Sequence, residues 1–188
     1  RLLVELNPSP GTGLHMRIAR HLELADDREG AFEHYLAAAR CGARDYSNQV
    51  SGKAYEKALE YAAGGSRQEI LRELGALHLS CGNLQEALDC LLEVESGSGD
   101  HSVDDRVELW VGIARILHRQ GKLEEAEDYF NRCLSIAGEE ARALAKIHYG
   151  LAGLSFDRRN LTLARDHFQR SLELYGDEAQ PRNLVPLH

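Results

Sequence analysis

The sequence predicts an all-α chain, a solenoid of about four to five helical hairpins, and three observations carry that prediction. The phrase NLQEALDC at 83–90 returns as KLEEAEDYF from Lys122 and as NLTLARDHF from Asn160. No proline stands between Gly11 and Gln180, so long helices run uninterrupted, and the 17 glycines are available to end them. Apolar residues make up 43% and charged residues 28% of the 188, enough for a core and a solvated surface.

Aligned on Ala87, Ala126 and Ala164, the phrases stand 39 and then 38 residues apart. Twelve residues before each alanine is a second small residue, Gly75, Ala114 or Ala152. Leu84, Leu123 and Leu161 precede the alanines by three positions, and Leu91, Phe130 and Phe168 follow by four. This pattern describes two helices of about a dozen residues joined by a tight turn. The small residues let the axes approach, and the large one fills the space one turn further on. The turns are CGN at 81–83, QGK at 120–122 and RRN at 158–160. Gly82 and Gly121 supply left-handed helix ends, and Asn160 tolerates a similar conformation. A lone hairpin leaves its apolar stripe in water, and stacked copies cover it.

In chain order, residues 1–11 read as a joint to an upstream region. The chain starts at Arg1, and its apolar Leu2, Leu3, Val4 and Leu6 lack a signal-peptide layout. The unit at 12–41 is a looser copy, with Ala19, Ala31 and Tyr35 in register but Arg28 in the leucine position. From Ala31 to Ala87 there are 56 residues, too many for one unit and too few for two. The intervening 43–65 is expected to be one amphipathic helix ending in Gly64–Gly65. It forms a degenerate unit on Ser51, Tyr55 and Ala58 whose first helix is shortened or merged with the one ending near Cys41. Units at 67–95, 106–137 and 141–175 follow, with ESGSGDHSVDD at 95–105 as the long connection and 176–188 as a tail. Leu184, Val185 and Leu187, like the apolar start, are candidate surfaces for self-association.

The composition argues against several functions. A net charge of −8, with no Lys/Arg-rich run, argues against nucleic-acid binding. No apolar run approaches the ~18–20 residues of a membrane helix. Cys41, Cys81, Cys90 and Cys133 form no CxxC pair and read as free thiols of a reducing, cytoplasmic compartment. GTG at 11–13 lacks the strand and Lys of a phosphate loop. His78 and Cys81 stand three apart on one helix, but no second metal-ligand pair accompanies them. GDHSVDD at 99–105 lacks the spacing of a calcium loop. Glu124, Glu125, Glu139 and Glu140 open helices, where negative charge is favourable. No nucleophile–base arrangement is evident. Neither an enzyme nor a cofactor is expected within these residues.

The recurring residues resemble the tetratricopeptide repeat, which carries Trp, Leu-Gly and Tyr on its first helix and Ala, Phe/Tyr and Ala on its second. The matching stretches are LRELGALHLSCGNLQEALDCLLEV (71–94), WVGIARILHRQGKLEEAEDYFNRCL (110–134) and HYGLAGLSFDRRNLTLARDHFQRSL (148–172). Leu74–Gly75 and Trp110 fall on family positions. The resemblance implies a right-handed α–α superhelix with first helices lining a concave groove. The family's period is ~34 residues, so these units have longer helices or longer connections.

Carrying over the inward positions gives the partner-binding candidates Arg20, Arg72, Arg115, His118, Arg119, Lys146, Tyr149 and Phe156, with Val111 among their neighbours. Glu23, Glu69, Glu108 and Asp157 are the acidic members of the same set. The groove is therefore expected to be less acidic than the rest of the chain, with Arg115, His118, Arg119 and Tyr149 holding an acidic or C-terminal carboxylate peptide. Trp110, Met16, Tyr129 and Phe130 read as packing residues.

The stretch from His15 to Ala62 has a second resemblance, carried by His21, Ala31, His34, Tyr35, Ala38, Tyr55, Ala58 and Leu59. It is similar to the helical segment of bacterial multidomain signalling NTPases, which include maltose-activator-type transcription regulators, and of protein kinases with repeat tails. Together the resemblances imply a noncatalytic scaffold in a larger bacterial signalling or regulatory protein, binding a peptide or a neighbouring domain. Any kinase or ATPase activity would lie outside these residues. The alternative is a sensory module for a small effector, which needs a closed apolar pocket. Leu79, Tyr149 and Phe156 are its inward apolar residues.

Overall fold

The computed structural model describes residues 11–97 and 102–176. The apolar residues at both ends of the sequence, and Asp100 and His101 of the long connection, lie outside them. Among the described residues there are nine α-helices and no strand, an all-α helical repeat. The helices are α1 (Thr12–Leu24), α2 (Arg28–Arg44), α3 (Asn48–Leu59), α4 (Gly64–Ser80), α5 (Leu84–Ser96), α6 (Val103–Arg119), α7 (Leu123–Ile136), α8 (Ala141–Asp157) and α9 (Leu161–Tyr175). The chain divides into two compact units, residues 1–99 with α1–α5 and residues 100–188 with α6–α9.

One turn recurs five times. A backbone N–H reaches back five residues: Asp27 to the Leu22 carbonyl (2.9 Å), Ser47 to Gly42 (2.8 Å), Asn83 to His78 (2.9 Å), Lys122 to Leu117 (3.0 Å) and Asn160 to Ser155 (2.9 Å). The residue before each donor is left-handed: Asp26 (φ 58°), Tyr46 (57°), Gly82 (80°), Gly121 (78°) and Arg159 (60°). This is a Schellman-type helix end, which satisfies the last carbonyls and reverses the chain. In the last turn Arg159, not the expected Asn160, takes the left-handed position. Asn160 instead caps α9, its side-chain oxygen accepting the Leu163 N–H at 3.3 Å. That is the better use of an Asx side chain at a helix start.

Five residues past each left-handed position stand Ala31, Ser51, Ala87, Ala126 and Ala164, and twelve before those stand Ala19, Ala39, Gly75, Ala114 and Ala152. All ten are buried. Five turns and five anchor pairs are served by nine helices because α2 is used twice. Its Ala31 is the second-helix anchor against α1, and its Ala39 is the first-helix anchor against α3. The Ser51 hydroxyl donates to the Ala39 carbonyl at 2.6 Å, and a Cβ on Gly42 would come 3.1 Å from the Ser51 Cβ. The amphipathic helix expected over 43–65 is thus shorter at both ends. Ala43 and Arg44 belong to α2, and Gly64–Gly65 open α4 rather than closing α3. Helix α3 runs out where the Ala58 carbonyl takes both the Tyr61 and Ala62 N–H groups, and Ala63 is extended (φ −139°, ψ 159°).

In the N-terminal unit a small-residue and tyrosine core (Ala19, Ala31, Tyr35, Ala38, Ala54, Tyr55, Ala58) meets Ile70, Leu74 and Leu77 of α4. Five of the eight residues that carry the second resemblance, Ala31, Tyr35, Ala38, Tyr55 and Ala58, lie in this core. The tyrosine hydroxyls reach its rim. Tyr35 and Tyr61 both donate to Glu23 at 2.8 Å, and Tyr55 donates to Glu73 at 2.9 Å. Arg40 of α2 binds Glu69 and Glu73 of α4, each at 2.7 Å.

In the C-terminal unit Phe130 is fully buried and its ring lies directly on Gly150 of α8. Burying a side chain of that size contributes about 2–3 kcal/mol. Cys133 and Ser171 occupy equivalent places, donating to the carbonyls of Val107 (3.8 Å) and Ala145 (2.8 Å). The long repeat comes largely from the first helices, since α6 and α8 have 17 residues each against 14 and 15 in α7 and α9.

Candidate functional site

Helices α6 and α8 lie side by side in the C-terminal unit, tied at both ends. Lys146 Nζ stands 2.7 Å from Glu108 Oε1, and His118 Nε2 stands 2.6 Å from Asp157 Oδ2. At the second tie the two helices approach closely. The His118 ring would stand 3.0 Å from a Cβ placed on Gly153, so a larger residue there would crowd it. These contacts define one face built from positions expected to line the groove on both helices.

On that face Arg115 and Arg119 are exposed, one turn apart on α6, and neither pairs with a carboxylate among the described residues. Lys146 and His118 are already partnered by Glu108 and Asp157. Phe156 is 58% exposed and precedes Asp157. Tyr149 is half-buried, its ring meeting the edge of Phe168 at 5.7 Å, so it serves the α8–α9 hairpin. Val111, expected in the groove, is buried at 6%. Its position sits deep beside the small anchors, where a branched apolar side chain is taken into the core. Helix α6 therefore offers two guanidinium groups without an ion-pair partner among the described residues, and α8 an exposed aromatic ring, in a chain whose net charge is −8. In the N-terminal unit Arg20 is exposed and Arg72 half-buried, and neither has an ion-pair partner among the described residues.

Two of the cavities among the described residues bear on this. One, of about 250 Å³, lies at the N-terminal ends of α6 and α8 and is lined by Asp104, Glu108, Glu140, Arg142 and Lys146 over Val107, Val111 and Ala143. The other, of about 500 Å³, lies in the N-terminal unit against His15, Arg40, Cys41, Arg44 and Asp45. Charged residues dominate both, unlike the closed apolar pocket of an effector site.

His78 Nδ1 lies 3.5 Å from the Asn83 side-chain nitrogen, and Cys81 is an exposed free thiol. Among the described residues no three His, Cys, Asp or Glu side chains gather as a metal site, and no helix is long and apolar enough to cross a membrane. Trp110 packs under the Arg132 guanidinium, 4.2 Å from the ring centre, and that guanidinium also covers Tyr129 at 4.6 Å.

Residues 105–177, from the first turn of α6 to the end of α9, match the sequence model of the tetratricopeptide repeat. Solved structures extend the likeness along the chain. BtubC (BKLC) from P. vanneervenii is 18% identical with a TM-score of 0.67, over 97% of this chain and 77% of that one. YrrB, described as a TPR protein with an unusual peptide-binding site, is 15% identical with a TM-score of 0.62, over 93% and 91%. A MamA structure is 16% identical with a TM-score of 0.56, over 94% and 97%. At these identities the likeness is one of fold. None of the curated proteins compared with the chain matches it.

Proposed function

We propose that the chain is a noncatalytic protein-interaction scaffold whose α6–α8 face binds an acidic peptide segment, free or on a neighbouring domain. The observation that carries the reading is the pair Arg115 and Arg119. They are exposed cations of that face without a carboxylate partner among the described residues, while Lys146 and His118 are each tied to one. Guanidinium groups one turn apart suit carboxylates at alternate positions of an extended peptide, and the exposed Phe156 of α8 offers an apolar contact. The peptide-binding site in the description of YrrB agrees with this reading. The wider setting, a larger bacterial signalling or regulatory protein in the cytoplasm, rests on the likeness of the N-terminal motif.

The test is fluorescence anisotropy with labelled peptides carrying paired Glu or a free C-terminal carboxylate, against the chain and its Arg115→Glu/Arg119→Glu form. Binding that weakens with salt and is lost on charge reversal is the expected result. Equal binding by both forms, or none by either, would remove the reading.

Self-association is a second reading, favoured by the outer face of α9. Leu161 (62%), Phe168 (37%) and Leu172 (48%) are exposed there, whereas α8 covers Phe130, the α7 equivalent of Phe168. Light scattering of Phe168→Glu beside the unmodified chain separates the two readings. A dimer that dissociates supports it, and a monomer in both forms ends it.

A further inference from the structure

Two histidine pairs occupy equivalent places in different hairpins. His15 of α1 faces His34 of α2, and His148 of α8 faces His167 of α9. In each pair the first histidine stands four residues before the small first-helix anchor, Ala19 or Ala152. The second stands three after the second-helix anchor, Ala31 or Ala164, and the two are 19 residues apart. The same two places hold Leu71 and Cys90 in the third hairpin and Trp110 and Tyr129 in the fourth. Packing is therefore satisfied at this place by apolar and aromatic pairs. Two imidazoles are a choice of chemistry rather than a requirement of the fold, since half-buried polar rings cost stability unless they find partners.

The Nδ1 atoms are 2.9 Å apart in the first pair and 3.1 Å in the second. The ring centres, 5.1 and 5.3 Å apart, set the two Nδ1 lone pairs head-on in the hydrogen bond, and once both rings turn toward solvent, metal–nitrogen bonds of about 2.0–2.1 Å close such separations on one ion at an N–metal–N angle of roughly 90–100°. That is the angle between neighbouring ligands of a square-planar or octahedral centre, the geometry of Cu²⁺ and Ni²⁺ with imidazole donors. We propose that His15–His34 and His148–His167 are two equivalent interhelical chelates for such a divalent cation.

Without the ion each pair shares a single proton, one Nδ1–H donating to the facing Nδ1. The donating ring's proton moves from Nδ1 to its own Nε2 through solvent, which frees both Nδ1 lone pairs, and the cation enters from the solvent side, because all four rings are only partly buried. Burial and the facing ring hold His15 and His148 below the usual histidine range, which keeps a neutral, ligating ring at neutral pH. Among the described residues no third His, Cys, Asp or Glu completes either site. Water fills the remaining positions, and the ion is exchangeable. Bound, it fastens the first helix of a hairpin to the second.

The test is calorimetric titration of the full chain with NiCl₂ and CuCl₂, repeated on His34→Gln, His167→Gln and the double variant. Circular dichroism confirms that each is folded. Two ions per chain, one in each single variant and none in the double variant, with a nickel-dependent rise in melting temperature that the double variant loses, is the expected result. The swap His148→Trp/His167→Tyr, which copies the fourth hairpin's pair, removes the nitrogens while refilling the space and should also leave one ion. The chain has 9 histidines. Titration unchanged in the double variant would place the ions on other side chains and overturn the proposal, as would no binding by the unmodified chain.

Discussion

Replacing Gly150 with alanine adds one methyl group at the contact between α7 and α8. Its Cβ would overlap Cζ, Cε1 and Cε2 of the Phe130 ring, and that ring is 0% exposed, with no free side to move toward. Two effects of opposite sign compete. Alanine gains about 1 kcal/mol over glycine in a helix interior. Overpacking a filled core costs about 1–3 kcal/mol, and this contact lies at the severe end because an aromatic ring, not a flexible chain end, must yield. A net loss of about 1–2 kcal/mol follows, or about 3–6 °C in melting temperature for a chain of this size.

The C-terminal unit reports its own unfolding. Trp110 is the single tryptophan and lies in α6, so guanidinium titration followed by its fluorescence reads the unit that carries Gly150. Gly52→Ala in α3, followed by circular dichroism because it lies in the other unit, is the matched control. The nearest atom to its new methyl is Leu77 Cδ2 at 3.9 Å, an ordinary contact, so the same chemical change should stabilise by about 0.5–1 kcal/mol. Phe130→Leu combined with Gly150→Ala should recover part of the loss, since the smaller side chain leaves room for the methyl. A Gly150→Ala chain as stable as the unmodified one would refute the packing argument. It would mean that α7 and α8 separate at little cost.

Three other outcomes are expected. Hydrogen bonds from Tyr35 and Tyr61 hold the Glu23 carboxyl below its usual range, so its contribution is present above the unfolded carboxylate pKa of about 4.3 and is lost as pH falls through the depressed value. Glu23→Gln should therefore cost about 1 kcal/mol at pH 7, and urea titrations should show the difference closing in acid. Ser51→Ala should cost about 1 kcal/mol through its lost bond to the Ala39 carbonyl, whereas Ser51→Val should cost more because Gly42 leaves no space, as paired chemical denaturations would show. Burial pushes the Cys133 thiol up to about 12 and that of Cys90 up to about 11, while Cys81 is exposed, so alkylation followed by peptide mass spectrometry at pH 8 should label Cys81 well before Cys133.

The hairpins were legible because each needs small residues at two fixed places, and small residues twelve apart survive as a visible pattern. Gly82 and Gly121 marked their turns for the same reason, as the residues that enter the left-handed region freely. Asp26, Tyr46 and Arg159 reach that conformation without glycine, and the sequence carries no sign of it. That hid the turn at Asp45–Ser47, and with it the boundary of α3. The candidate face was legible only as a set of positions. Lys146 and Phe156 were both named as exposed contacts, yet Glu108 neutralises one and water meets the other, and the partner on a neighbouring helix decides which. The histidine pairs were also in the text, as HMRIA with AFEH and HYGLA with ARDH. No local spacing links residues on two different helices, so the pairing becomes visible only in the fold.

The double use of α2 has a consequence for direction. The tight turns at Asp26 and Tyr46 and the connection over 60–63 make three reversals between α1 and α4. Arg67 of α4 donating to the Leu59 carbonyl and Glu73 accepting from Tyr55 are the contacts of such a reversal. Two hairpins in regular succession hold their first helices parallel, because an even number of reversals lies between them. One shared helix makes the number odd, and α1 and α4 run head to foot. A peptide has a beginning and an end. A segment that meets Arg72 in its N-to-C sense would have to run backwards to meet Arg20 in the equivalent way. Within the N-terminal unit, two positions that look alike in an alignment therefore face one strand in opposite senses, and the shared helix sets a boundary of polarity that a count of repeats would never reveal.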